Sequence, residues 1–297
     1  MSTRVAELAN GRDAAVLPAL FQLTKPGITR LVLVTMLAGA LAAPGAVDFV
    51  RLATALLATA IVVGGANALN MYWERDTDAL MARTRARPLP SGRITPELAL
   101  WFGVGSSLFG LVLLSAFVNP LSAGLAALAL VSYVLVYTPL KRVTPWSLYV
   151  GAVPGAIPPL IGWAASTGSL ARPAWLLFLV LLFWQLPHFV AIAIFRREEY
   201  ERARIPVLPL VRGLRGAKHA LARYSGLLFF VSLLPVITGD ASAVYAALAA
   251  AAGAFFLALS LHGLKPQADR RWARATFFAS MPYLVLLFAA LVVDVRL

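Results

Sequence analysis

The chain has 297 residues, 60% of them hydrophobic and only 13% charged, and it contains no cysteine. With a mean hydropathy of +0.80, this composition excludes an ordinary soluble domain and indicates an all-α, polytopic membrane protein. The missing cysteines exclude disulfides, thiolate metal sites and covalent c-type haem attachment, and the formal charge of +13 is a question of membrane sidedness, not of nucleic acid, which is not expected as a partner.

The N-terminal stretch is mixed and polar, with Arg4, Glu7, Arg12 and Asp13, and lacks the cleavage pattern of a removable signal. Residues 1–24 are expected to be a cytoplasmic segment, followed over 25–297 by a single transmembrane domain. Apolar stretches long enough to cross a bilayer fall near 28–45, 51–73, 97–118, 120–140, 146–167, 173–196, 219–238, 241–263 and 274–294. That predicts about nine transmembrane helices. Alternate connections then collect every one of the 26 Lys and Arg except Arg51, Arg172 and Arg296. By the positive-inside rule the N-terminus is cytoplasmic or matrix-facing and the C-terminus opposite.

The second span ends in the densest mixture of charges: Asn67, Asn70, Glu74, Asp76 and Asp78, then Arg75, Arg83, Arg85, Arg87 and Arg93. If the helix continues through them, Asn70, Glu74 and Asp78 stand at i, i+4 and i+8 and share one face. Hard oxygen donors in a row suit Mg²⁺, which binds through a few carboxylates together with substrate phosphates. The ends of the row lie roughly 12 Å apart, too far to grip one ion, so a bridging polyphosphate or a second metal is needed. The arginines that follow are suited to hold such an anion. Plainer readings compete: ion pairs on a solvated helix end, or arginines acting only as topology determinants. Against them stands position, because an Asn and a carboxylate within a span are costly unless they face a polar cavity.

Further along, Lys141 and Arg142 lie between Thr138-Pro139 and Thr144-Pro145. A lysine there could stabilise charge on a departing anion, or serve topology alone. The fifth span is crowded with Gly151, Pro154, Gly155, Pro158, Pro159 and Gly162, which suits close helix packing or the wall of a cavity. The sixth span closes with Trp184, Gln185, Pro187 and His188, then Arg196, Arg197, Glu198, Glu199, Glu201 and Arg202. His188 lies two turns inside the apolar layer, either as a satisfied core histidine or as a contact to a metalloporphyrin. Gln185 is its nearest candidate partner. Glu198 and Glu199 either pair with the neighbouring arginines or complete a metal–diphosphate site.

Four stretches together resemble the UbiA-type superfamily of intramembrane prenyltransferases, and within it the branch that farnesylates protohaem IX. They are Asn70-x-x-x-Glu74-x-x-x-Asp78 with its Arg87-Pro88-Leu89-Pro90-Ser91-Gly92-Arg93 tail, Tyr137 to Arg142, Gly151 to Trp163, and Trp184-Gln185-Leu186-Pro187-His188-Phe189. The resemblance implies nine helices around a central cavity in a cell inner membrane, with Mg²⁺ as cofactor. It implies farnesyl diphosphate and protohaem IX as substrates. Metal ligands would be Asn70, Glu74, Asp78, Glu198 and Glu199. The residues Asn70, Glu74, Asp78 and Lys141 would be catalytic, and Arg75, Arg83, Arg87, Arg93, Arg142, His188, Arg196 and Arg197 would bind substrate. Many members carry Asp-x-x-x-Asp in the second cluster, whereas here Arg202 follows Glu198 at that spacing. The implied chemistry is ionisation of the allylic diphosphate, addition of the farnesyl cation to a porphyrin vinyl group, and capture by water. Handover to a haem A synthase or an oxidase assembly is implied in the same way. The alternatives are a prenyltransferase for an aromatic quinone precursor, a transporter of an organic anion, and a haem-carrying structural subunit.

Overall fold

The computed structural model describes residues 16–296; Arg4, Glu7, Arg12 and Asp13 of the expected N-terminal segment lie outside the described residues. The structure is helical throughout this range. A short α1 (Val16–Leu23) turns by 46° into α2 (Pro26–Ala42). The turn is made at Lys25, whose φ of 48° is left-handed. Next come α3 (Phe49–Ala79), α4 (Pro96–Phe117), α5 (Pro120–Leu140), α6 (Ser147–Thr167) and α7 (Arg172–Phe195). Two short helices, α8 (Arg197–Arg202) and α9 (Leu208–Val211), precede α10 (Gly213–Ile237), α11 (Ala243–His262) and α12 (Arg270–Arg296).

Eight of these helices are long and apolar enough to cross a membrane, and the bent α1–α2 pair makes a ninth if it counts as one span. Leu57, Trp101, Phe109, Phe230 and Phe255 point outward and are exposed, as a lipid-facing surface requires. The chain is a multi-pass membrane protein.

Local sequence starts and stops these helices in the ordinary way. The side chains of Asp48, Thr95, Asn119 and Ser242 accept hydrogen bonds from first-turn amides of α3, α4, α5 and α11, satisfying donors that have no partner within the helix. Pro96 and Pro120 occupy first-turn positions where a missing N–H costs nothing. Inside α6 the helix is interrupted at Ile157, where Pro158 and Pro159 remove donors. Residues Ser132–Tyr137 of α5 are π-helical.

Each helix packs on the next, and α12 returns to α2, so the spans close into a ring. The seam between α2 and the second half of α6 is tight. A Cβ on Gly39 would lie 2.1 Å from the Pro159 carbonyl oxygen, and one on Gly162 would lie 1.9 Å from that of Met36. Close packing therefore accounts for Gly162. Buried hydroxyls join α10 to its neighbours: Ser225 with Ser260 at 2.8 Å, and Ser232 with Tyr283 at 2.8 Å. Such bonds hold helices together where apolar burial gives little drive.

Most boundaries fall within a few residues of expectation, and the three largest departures have local causes. Helix α3 runs to Ala79 instead of residue 73, because cations from elsewhere neutralise its terminal acids. Helices α10 and α12 start earlier than residues 219 and 274, continuing through basic turns at the membrane face. The three cations expected on the opposite face are all held there. Arg172 makes paired hydrogen bonds to Asp240, Arg51 donates to the Val118 carbonyl, and Arg296 donates to the carbonyls of Leu41, Ala43 and Gly45.

Candidate active site

Because α3 extends without interruption, Asn70, Glu74 and Asp78 fall on one face, and they are 2%, 5% and 1% exposed. All three line a cavity of about 510 Å³ bounded mainly by α2, α3, α5, α6 and α7. Each is met by a group from another part of the chain. Lys25 Nζ donates to Asn70 Oδ1 at 2.5 Å, and Asn70 Nδ2 donates to Thr138 Oγ1 at 3.0 Å. Lys141 Nζ lies 2.9 Å from Glu74 Oε1, and an Arg87 guanidinium nitrogen lies 2.6 Å from Asp78 Oδ2. The other oxygen of Asp78, Oδ1, is buried and receives no hydrogen bond among the described residues.

The π-helical stretch of α5 helps set this geometry. It precedes Thr138 and Lys141 and stacks Tyr133 on Tyr137 with centroids 5.5 Å apart. Both tyrosines line the cavity; such π segments are frequent at functional sites. Lys141 lies one residue past the end of α5. Burial pulls its pKa down, but the Glu74 carboxylate outweighs that and holds it above the usual lysine range. The ammonium form therefore persists at neutral pH.

The predicted arginines divide. Arg83 and Arg87 line the cavity with Lys25 and Lys141. Arg75 instead donates to the Tyr72 carbonyl and stacks over its ring, 4.8 Å from the centroid. Arg93 braces the loop, donating to Gln22 Oε1 at 3.0 Å and the Ala86 carbonyl at 2.7 Å. Arg142 donates to the carbonyl of Trp73. Arg196 and Arg197, with Glu198 and Glu199, line a second cavity of about 420 Å³. Glu199 is paired with Arg196 at 2.5 Å and lies 3.9 Å from Arg83, while Glu198 faces Arg202 at 3.9 Å and is exposed. Neither glutamate lines the first cavity. From the same segment it is Tyr200, Ile205 and Pro206 that do so.

Away from these charges the cavity is apolar. Gly151 and Gly155 lie along its wall, where a Cβ would stand 2.5 Å from the Tyr137 ring and 2.1 Å from Gln185 Oε1. These two glycines let Tyr137 and Gln185, themselves cavity residues, pack close against α6. Gln185 donates to the carbonyl of Ala152 at 2.9 Å, so it is not the partner of His188. That partner is Ser280, whose Oγ lies 2.7 Å from His188 Nδ1. The His188 ring is stacked between Trp184 and Phe277, each with its centroid 4.5 Å away.

Lys25, Thr138, Tyr133, Tyr200 and Ser280 were not legible as cavity residues or their supports. Lys25 reads as one more topology cation, and only the left-handed turn that bends α1 against α2 carries it to Asn70. Together the geometry gives one cavity with two unlike regions. One sets the Glu74 and Asp78 carboxylates and the Asn70 amide among four basic side chains, Lys25, Arg83, Arg87 and Lys141, a pattern that can bind a metal-complexed polyphosphate. The other offers aromatic and aliphatic surface with a single imidazole.

Residues 31–281 match the model of the UbiA prenyltransferase family. The protoheme IX farnesyltransferase of Sorangium cellulosum is 54% identical over 248 residues, covering 84% of this chain and 89% of that protein. The protein of the same name from Myxococcus xanthus is 47% identical over 275 residues, covering 93% and 94%. Among solved structures, a digeranylgeranylglyceryl phosphate synthase superposes with a TM-score of 0.79 at 19% identity, over 95% of this chain and 99% of that one. A UbiA homologue from Archaeoglobus fulgidus bound to GPP and Mg²⁺ gives 0.67 at 14% identity, over 92% and 99%. The structural likenesses speak to the fold alone. The sequence matches span most of the length, and the chain belongs to the UbiA prenyltransferase family.

Proposed function

We propose that the chain transfers a farnesyl group from farnesyl diphosphate to a vinyl group of protohaem IX with addition of water, the haem O synthase reaction. The observation that carries this reading is the meeting of Asn70, Glu74, Asp78, Lys25, Arg87 and Lys141 in one cavity whose remaining wall is mostly apolar and holds His188. The two relatives named above, similar over most of both chains, supply the acceptor.

Mg²⁺ is the cofactor this reading requires, and the residues fit it. Asp78 offers a buried oxygen without a partner, Glu74 lies one turn away, and the donors are hard oxygens. Among the described residues no three acidic or histidine side chains form a ready cage, which agrees with an ion held by one or two carboxylates, water and substrate phosphate. When bound, the metal would supply Lewis-acid charge to the leaving diphosphate.

The protein's own groups do the rest. Lys141 spends one N–H on Glu74 and Arg87 spends one on Asp78, and both retain donors for phosphate oxygens. As the allylic C–O bond breaks, the diphosphate leaves with the electron pair, and these cations stabilise the negative charge that grows on it. The vinyl π pair forms the new C–C bond. Water then adds to the resulting porphyrin cation and loses a proton, leaving a hydroxyethylfarnesyl arm. Tyr133, Tyr137 and the apolar wall keep bulk water from the first cation. The same reading puts the basic face in the cytoplasm of a plasma membrane and makes a haem A synthase or oxidase assembly the recipient of product.

Detergent-purified protein should be given labelled farnesyl diphosphate, Mg²⁺, protohaem and hydroxybenzoate together. Label is expected on haem. Label on hydroxybenzoate and none on haem would replace this reading with a quinone-precursor prenyltransferase, and vesicle uptake of the anion without diphosphate release would replace it with transport.

A further inference from the structure

We infer that His188 Nε2 is an axial ligand of the acceptor's iron, and that Ser280 is the positioning residue that leaves this nitrogen bare. The inference rests on the cavity being a protohaem site.

Ser280 Oγ has one proton, and it lies 2.6 Å from the Phe277 carbonyl, which can only accept. With that proton committed, the contact of Ser280 with His188 Nδ1 at 2.7 Å requires Nδ1 to be the donor. The second ring nitrogen then carries the lone pair. Among the described residues it meets no protein partner, and His188 belongs to the cavity wall. A histidine retained only for packing would have both nitrogens satisfied, whereas a ligating histidine characteristically gives its other N–H away and keeps one nitrogen free.

The surroundings fix the ring as well as the tautomer. Trp184 stacks on one side of His188 at 4.5 Å and 27°, and Phe277 lies on the other at 4.5 Å and 34°, so the imidazole cannot turn Nε2 away without displacing an aromatic ring. Trp184 Nε1 donates to the Ser280 carbonyl at 2.6 Å. The side chains that hold His188 thus also hold the backbone of the residue that orients it. This couples α7 to α12 across the ring of helices. Of the three histidines in the chain, only His188 lines this cavity. An iron ligand here would tether the porphyrin plane within the cavity that also holds the diphosphate site, and would favour a metalloporphyrin over a flat aromatic acceptor without a metal.

The test is a titration of the full-length protein in detergent with ferric protohaem, read by the Soret band and by electron paramagnetic resonance. Wild type is expected to show the signature of imidazole-ligated iron. His188→Gly should lose it, and added imidazole should restore it. Ser280→Ala should weaken haem binding about tenfold or more and give a mixture of ligated and unligated spectra, with Ser280→Thr recovering the single form. An unchanged Soret band and resonance spectrum in His188→Gly would overturn the iron assignment even if the wild type farnesylates haem. An unchanged spectrum in Ser280→Ala would overturn the positioning role, and does so even if the glycine variant fails to fold. A wild type that neither binds nor alkylates haem would instead remove the function on which the inference stands.

Discussion

Replacing Lys141 by Met separates what the ion pair does for the fold from what the ammonium does for chemistry. In the variant Glu74 would remain 5% exposed with its partner gone from 2.9 Å. Breaking a buried pair from one side costs about 3–5 kcal/mol. The value here should sit near 3 kcal/mol, because the cavity can admit water to Glu74. At about 2–4 °C per kcal/mol for a chain above 150 residues, Tm should fall by roughly 6–12 °C. Turnover should fall about 10²–10³-fold, the cost of removing one donor to developing negative charge. The double variant Lys141→Met with Glu74→Gln removes the stranded carboxylate and should recover most of the Tm without recovering the rate. Differential scanning fluorimetry in detergent and diphosphate release measure the two quantities on the same samples. Recovery of both by the double variant would show that Lys141 serves only the fold. A single variant with full turnover would refute its role outright.

Asp78→Ala should retain a folded protein, because Arg87 can reach the cavity water, but lower kcat by at least about 100-fold; full turnover would show that Asp78 takes no part in the chemistry. Chelation of divalent metal should abolish diphosphate release, with return on adding Mg²⁺ and not on adding monovalent salt. Gly162→Ala forces a Cβ against the Met36 carbonyl at 1.9 Å, and should cost about 1–3 kcal/mol as overpacking, whereas Gly27→Ala meets open space and should not lower Tm. On the opposite membrane face, hydrogen bonding from Arg172 lowers the pKa of Asp240. A carboxylate with a depressed folded pKa contributes stability above its unfolded value of about 3.9, and that contribution is lost as pH falls through the folded value. The Tm difference between wild type and Arg172→Gln should therefore be present at pH 7 and shrink on acidification below about 4; a difference that grows on acidification would contradict the pairing.

What could be read from the sequence was whatever the membrane makes expensive. Asn70, Glu74 and Asp78 stand out because oxygen donors inside a span need a reason, and their four-residue spacing sufficed to put them on one wall. The number of spans, eight or nine with the bent α1–α2 pair, followed from the length of the apolar stretches. Helix ends were harder to place: basic turns such as Gly213–Lys218 continue as helix into the interface, where hydropathy alone suggests a stop. Long-range partners were not legible. Nothing in local spacing joins Lys25 to Asn70 or His188 to Ser280, because both contacts depend on how the ring of helices closes. The run from Arg196 to Arg202 shows a different limit. Alternating acids and arginines can pair among themselves or turn to a ligand, and here Glu198 and Glu199 meet arginines while Tyr200 meets the cavity. The π-helical turn Ser132–Tyr137 holds no Gly or Pro, and Pro139 just beyond it reads equally as an ordinary turn before Lys141.

The most direct test of the central claim is mass spectrometry of protohaem after a single turnover with farnesyl diphosphate and Mg²⁺ in water enriched in oxygen-18. Haem heavier by one farnesyl group and one hydroxyl group, with the heavy oxygen in the new arm and none in the released diphosphate, is the predicted result. Diphosphate released with haem unmodified, or a heavy oxygen found in the diphosphate, would contradict it.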